Sequence, residues 1–62
     1  MEMSSTDFAK AIRVSLTTVY NLEAKGIVIP VRKSPFGRRF YTDEQARIYL
    51  AGDYDNAVLK GK

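Results

Sequence analysis

Short polar side chains able to make hydrogen bonds cluster between residues 15 and 21. An asparagine amide can pair with adenine through two hydrogen bonds, and the methyl group of a threonine can contact that of thymine. A serine at a helix start and a tyrosine hydroxyl are suited to phosphate contacts. The cluster predicts contact with nucleic acid, although a solvent-facing helix surface, with the tyrosine ring packed on the domain edge, would have the same composition. Its members are Ser15, Thr17, Thr18, Tyr20 and Asn21.

The composition lacks two of the residue types on which covalent and metal-dependent chemistry often depends. The chain has neither cysteine nor histidine, which excludes disulfides and metal sites built on thiolate or imidazole ligands. The seven carboxylates are scattered, whereas a calcium or magnesium site needs them clustered. We therefore expect a protein that is not an enzyme, with no catalytic residues, no metal and no cofactor.

Positive charge is concentrated in the middle of the chain. Residues 13–41 carry six cations against Glu23 alone, a net charge of +5, whereas the remaining residues have a net charge of −2. This distribution predicts one surface that faces phosphates. A solvated basic loop without a partner would look the same in composition. The six cations are Arg13, Lys25, Arg32, Lys33, Arg38 and Arg39.

Two short helices joined by a tight turn would position the polar cluster. Apolar residues at helical spacing predict a first helix over about residues 6–12. Ser15 is a favourable N-cap for a second helix over about residues 16–25, and Gly26 suits the left-handed residue that ends it. The polar cluster then lies on the outer face of the second helix. The stripe expected to be buried is Leu16, Val19 and Leu22.

A basic hairpin and a third helix follow. Residues 31–33 and 38–41 are predicted strands, joined by turn residues 34–37. Arg38 and Arg39 alternate in the second strand, so we expect one to cover the core with its aliphatic stem and the other to face outward. Phe36 at the hairpin tip either tucks under the hairpin or stays exposed as an apolar contact. Thr42 and Gln45 have the spacing of a capping box at the start of the third helix. The expected core residues, which include two members of the helix stripe, are Phe8, Val19, Leu22, Phe40 and Tyr41.

The order of these elements predicts a mainly α fold with a small β-hairpin. We interpret it as a winged helix-turn-helix: helix, turn, helix, two-stranded wing and third helix. Residues 1–52 would form the domain, and residues 53–62 a C-terminal tail that is flexible or ordered by a partner. No apolar run is long enough to cross a bilayer, and the first 20 residues do not resemble a signal peptide. We therefore expect a cytoplasmic, nucleoid-associated protein with no membrane contact.

Most of the chain, about residues 5–51, resembles the DNA-binding domain of the MerR superfamily. It is also similar to the small excisionases of phages and mobile elements, which share that winged fold. The segments that carry the resemblance are Phe8-Ala9-Lys10, the run VSLTTVYNLEAKGIVIP from Val14 to Pro30, the run GRRFYT from Gly37 to Thr42, and Gln45. The resemblance implies a second helix in the major groove of DNA and wing arginines on the backbone or in the minor groove.

Two departures limit what the resemblance implies. MerR regulators usually have arginine where Tyr20 stands and tyrosine where Asn21 stands, so their backbone contacts do not carry over to these positions. They also continue into a dimerisation helix and an effector-binding region, for which 62 residues leave no room. Sensing of an inducer or a metal is therefore not implied.

The functional expectation is sequence-specific binding of double-stranded DNA by a small MerR-like transcription regulator. The alternative is an excisionase, a recombination directionality factor that binds repeated sites cooperatively and bends DNA for an integrase. A hairpin that binds an acidic protein, or the DNA-binding head of a longer protein such as a phage packaging subunit, would also fit. Expected partners are duplex DNA, neighbouring copies bound side by side, and integrase or RNA polymerase. The expected DNA-binding residues are Arg13, Ser15, Thr17, Thr18, Tyr20, Asn21, Lys25, Arg32, Lys33, Arg38 and Arg39.

Overall fold

A computed structural model describes residues 2–61 and shows a small mixed α/β fold. Three α-helices and a short 3₁₀ helix accompany one antiparallel sheet with the strand order β1-β3-β2. The predicted helices and hairpin are present, so the helix-rich part of the prediction is confirmed. In chain order the elements are β1 Glu2–Ser4, α1 Ser5–Ala11, α2 Leu16–Ala24, β2 Arg32–Lys33, β3 Arg39–Thr42, α3 Asp43–Leu50 and the 3₁₀ helix Ala57–Lys60.

The sheet has a third strand that the sequence did not predict, so the predicted two-stranded hairpin, present as β2 and β3, is part of a larger sheet. Strand β1 pairs antiparallel with β3, with Met3 opposite Tyr41. Strand β2 pairs with the other edge of β3, with Lys33 opposite Arg39. The segment of β1 lacks β-branched residues, and its partner lies about 40 residues away along the chain, so no local pattern reveals it. The hairpin is thereby fixed to the body of the domain on one edge.

Side-chain caps set the starts of all three α-helices. The hydroxyl of Ser4 accepts a hydrogen bond from the backbone N–H of Asp7, and that of Ser15 accepts one from the N–H of Thr18. Thr42 and Gln45 form the predicted capping box reciprocally. Each such cap satisfies N–H groups that a helix leaves unpaired, and each contributes about 1 kcal/mol.

The core is centred on a stacked aromatic pair. The rings of Phe8 and Tyr41 lie 4.4 Å apart and are tilted by 12°, and both side chains are fully buried. Helix α1 therefore packs across β3. Two predictions fail at the edge of this core, because Leu16 is 37% exposed and Phe40 is only partly buried. The buried apolar residues are Phe8, Ala9, Ile12, Val19, Leu22, Val28, Tyr41, Ala46 and Leu59.

The predicted tail is part of the fold, which corrects the expectation of a flexible or partner-ordered segment. Leu59 is fully buried, and its carbonyl accepts a hydrogen bond of 2.7 Å from the N–H of Ile29. The amide of buried Gln45 donates to the carbonyls of Ile29 and Val58, at 2.8 and 3.0 Å. The 3₁₀ helix thus fastens the segment between α2 and β2, while Lys62 lies outside the described residues. Within residues 2–61, no helix is long and apolar enough to span a membrane.

Candidate functional site

The outward face of α2 carries three exposed side chains with polar groups. Thr17, Tyr20 and Asn21 are exposed, whereas Val19 and Leu22 on the opposite face are buried. The two sets follow from the helical period, since positions three and four apart share one face. Threonine and asparagine are short, so a flat partner can approach the helix backbone closely.

Two other members of the predicted cluster are used by the helix cap. The hydroxyls of Ser15 and Thr18 lie 3.0 Å apart and form a hydrogen bond, and Ser15 also accepts from the backbone N–H of Thr18. Thr18 is partly buried, in contrast to Thr17. These hydroxyls therefore fix the start of α2. The side chain of Thr18 is less exposed to solvent than the sequence predicted.

A single carboxylate joins α2 to the hairpin. The side chain of Glu23, which is 19% exposed, accepts a hydrogen bond from Nε of Arg39 and lies 3.5 Å from Nζ of Lys33. Because Lys33 is on β2 and Arg39 on β3, one side chain bridges both hairpin strands to the helix. Sequence reasoning missed this role, although a lone acid within a basic stretch was the available signal.

Tyr20 strengthens the same junction. The guanidinium of Arg39 lies 4.9 Å from the centre of the Tyr20 ring, a distance at which a cation and an aromatic ring attract each other. Arg39 is partly buried, whereas its neighbour Arg38 is exposed. One arginine is thus turned toward the domain and the other toward solvent, but Arg38 precedes β3 rather than alternating within it, and Arg39 contacts α2.

Arg32 is paired with the first strand. Its guanidinium donates to the carboxylate of Glu2 at 2.9 Å and lies 4.0 Å from the ring centre of Phe40. The hydrogen bond lowers the pKa of Glu2 and raises that of Arg32. Both groups are exposed, so the pair is screened by solvent and salt.

The other three predicted cations make no ion pair in the described part of the chain. Arg13, Lys25 and Arg38 are all exposed. Arg13 lies in the turn before α2 with φ at 62°, the left-handed region that costs most residues about 1–2 kcal/mol. Lys25 follows α2 as its C-cap, and Arg38 adjoins the hairpin tip. These cations surround α2 and the hairpin and are available to a negatively charged partner.

A cleft of about 480 Å³ separates the start of α1 from the hairpin. In the core, the hydroxyl of Tyr41 is buried without a hydrogen-bond partner among residues 2–61. Burial of this hydroxyl raises the pKa of Tyr41, and the negative charge of Glu23 acts in the same direction. The cleft is lined by Ser4, Ser5, Thr6, Tyr20, Gly37, Arg38, Arg39 and Phe40.

Nothing in the described residues gathers ligands for a metal ion, since no three acidic side chains lie together. The exposed groups of α2 and the hairpin offer hydrogen bonds and positive charge to a partner. Comparison with protein-family models, with curated proteins and with solved structures returns no match to this chain.

Proposed function

We propose that this chain binds double-stranded DNA sequence-specifically as a small winged helix-turn-helix module. In this proposal α2 enters the major groove, and the hairpin of β2 and β3 lies on the backbone or in the minor groove. The observation that carries the proposal is the attachment of a basic hairpin to a helix with an open polar face, through Glu23, Arg39 and Tyr20. A fixed helix and hairpin can contact neighbouring parts of one duplex.

The dimensions and chemistry of α2 suit a groove. The major groove of B-DNA, about 12 Å wide, admits one α-helix. Thr17 and Asn21 lie on the exposed face of α2 with short side chains, so a base edge can come within hydrogen-bond distance. Asn21 is the side chain best suited to adenine, through paired donor and acceptor groups.

The unpaired cations supply sequence-independent attraction to phosphates. Arg13 is notable because a glycine would adopt its backbone conformation more cheaply. A long cation held there at the entrance to α2 is consistent with a role outside folding, since strained residues concentrate at functional sites. Lys25 and Arg38 extend the positive charge to the end of the helix and to the hairpin.

The same proposal covers biological role and assembly. A small MerR-like transcription regulator is the role that we favour, acting through promoter DNA. A single module of this size covers about 600–1,000 Å² on DNA, which limits affinity. We therefore propose cooperative binding by neighbouring copies on repeated sites.

Selection of duplexes from a random pool tests the proposal. We expect wild-type protein to enrich a defined site, and Asn21→Ala to relax the preference at one or two base pairs by about 1–3 kcal/mol. Arg38→Ala should weaken binding to all sequences similarly. Arg47→Ala is the matched control, because this exposed cation belongs to α3 and pairs with Glu44. An unchanged base preference in Asn21→Ala would count against base reading by α2.

A further inference from the structure

The tip of the hairpin presents a bare aromatic ring to solvent. Phe36 is 93% exposed, the highest exposure among the large apolar side chains identified as exposed. Among the described residues its ring makes neither a stacking contact, as Phe8 does, nor a cation–π contact, as Phe40 does. Removing such an apolar ring from water is favourable, roughly in proportion to the apolar area that is covered. A partner that covers this ring would therefore gain hydrophobic stabilisation that the free protein lacks.

The turn beneath the ring is well ordered by its own hydrogen bonds. The hydroxyl of Ser34 accepts from the N–H groups of Phe36 and Arg38, at 3.3 and 3.2 Å. The backbone of Ser34 also pairs with Arg38 at 2.8 Å and accepts from Gly37 at 3.0 Å. Gly37 has φ at 86°, which a glycine adopts without strain. The ring is thus held on a preorganised support, and little entropy is lost when it docks.

The surroundings of the ring favour a nucleic acid as its partner. Arg38 is exposed and unpaired two residues after Phe36, and Lys33, which is half-exposed and paired with Glu23, lies three residues before it. A lipid surface would need a broad apolar face, whereas this tip offers one ring and the adjoining Pro35. A single flat ring flanked by cations matches the gap between two base pairs bordered by phosphates.

We propose that Phe36 is a wedge that inserts between two adjacent base pairs of the bound duplex and kinks it. The inference rests on the proposed function and adds a specific deformation of the DNA to it. Apolar side chains that enter the minor groove in this way partly unstack one step and bend the duplex by about 20–90°. Flexible pyrimidine–purine steps would be preferred, because they unstack most easily.

The test measures the bend and the affinity separately. The probe is a duplex selected by the wild-type chain from a random pool, labelled with a donor and an acceptor dye at its ends. Permanganate reactivity of thymines reports unstacking at single-base resolution. The variants are Phe36→Ala, Phe36→Leu, which keeps an apolar wedge, and Arg38→Ala, which removes a flanking charge. Circular dichroism checks that each remains folded.

We expect wild type and Phe36→Leu to bend the duplex by at least about 20° and to expose one reactive thymine step. Phe36→Ala should lose both signals while its affinity falls less than about tenfold, because the cost of unstacking offsets the gain from burial. Arg38→Ala should keep the bend and make the negative slope of log K against log salt shallower by about 0.9.

Three results would overturn the inference, and they are distinguishable. Tight binding by wild type without a bend would remove the wedge and leave the proposed function intact. No duplex binding at about 10⁻⁴ M, the weak limit for non-specific complexes, would remove both. Phe36-dependent binding to phosphatidylserine vesicles, with an unbent duplex, would identify the tip as a lipid contact.

Discussion

Replacing Glu23 with glutamine should release two hairpin cations at once. The Glu23 carboxylate holds Arg39 and Lys33 in the free protein, and a neutral amide cannot pair with both as strongly. The pairing of β1 with β3 still holds the hairpin on the domain, so the released cations would be free to contact phosphates. The loss of one negative charge beside the DNA acts in the same direction, so the variant should bind duplexes more tightly at low salt.

The size of the effect follows from the ion pairs in the structure. Each phosphate neutralised contributes about −0.9 to the slope of log K against log salt for B-DNA. Three of the six predicted cations are unpaired in the described chain, Arg13, Lys25 and Arg38, which gives a wild-type slope of about −2.7. Adding Lys33 and Arg39 in Glu23→Gln gives about −4.5.

Fluorescence anisotropy with one fixed duplex, titrated at several salt concentrations, measures both slopes. Glu44→Gln is the matched control, since this carboxylate pairs with Arg47 on α3, 3.8 Å away. Its slope should equal that of wild type. A wild-type slope already near −4.5, unchanged in Glu23→Gln, would refute the reasoning, because the cations would then leave Glu23 whenever DNA binds.

Three further predictions concern the fold beneath the site. Arg13→Gly should remove about 1–2 kcal/mol of backbone strain and lose about 0.4–1 kcal/mol to the larger conformational entropy of the unfolded chain; urea unfolding should therefore show stability raised by up to about 1.6 kcal/mol, and a destabilised variant would contradict this. Tyr41→Phe should raise the unfolding free energy by about 1 kcal/mol, because it removes a buried hydroxyl without a partner. Since burial raises the pKa of Tyr41, wild-type stability should be fully present below the ordinary value of 10.0 and fall as pH rises above it; an equal alkaline loss in the variant would exclude Tyr41 as a source. Leu59→Ala should cost about 2–5 kcal/mol in thermal unfolding, whereas a loss under about 0.5 kcal/mol would mean that the 3₁₀ helix is not part of the core.

The helices were predictable because their signals are local. Ser15 caps α2, and Thr42 and Gln45 cap α3, through hydrogen bonds between residues only three positions apart in the sequence. Gly26, with φ at 76°, follows the end of α2 as expected. Strand β1 and the 3₁₀ helix were not predictable, because each is stabilised by contacts with distant parts of the chain.

The site was predictable to a similar degree. Helical spacing correctly placed Thr17 and Asn21 on an exposed face. Charge counting could not reveal that Glu23 and Glu2 already neutralise part of the basic hairpin. Pairing depends on the three-dimensional approach of β2 and β3 to α2 and of β1 to the sheet, which composition does not encode.

A titration of the ¹⁵N-labelled chain with its selected duplex, followed by amide chemical shifts, tests most directly whether α2 and the hairpin form one DNA-binding surface. We expect the largest changes within residues 15–21 and 34–38, saturating together at one stoichiometry. Changes centred on α3 and the 3₁₀ helix, with the amides of Thr17 and Asn21 unaffected, would contradict the proposed mode of binding.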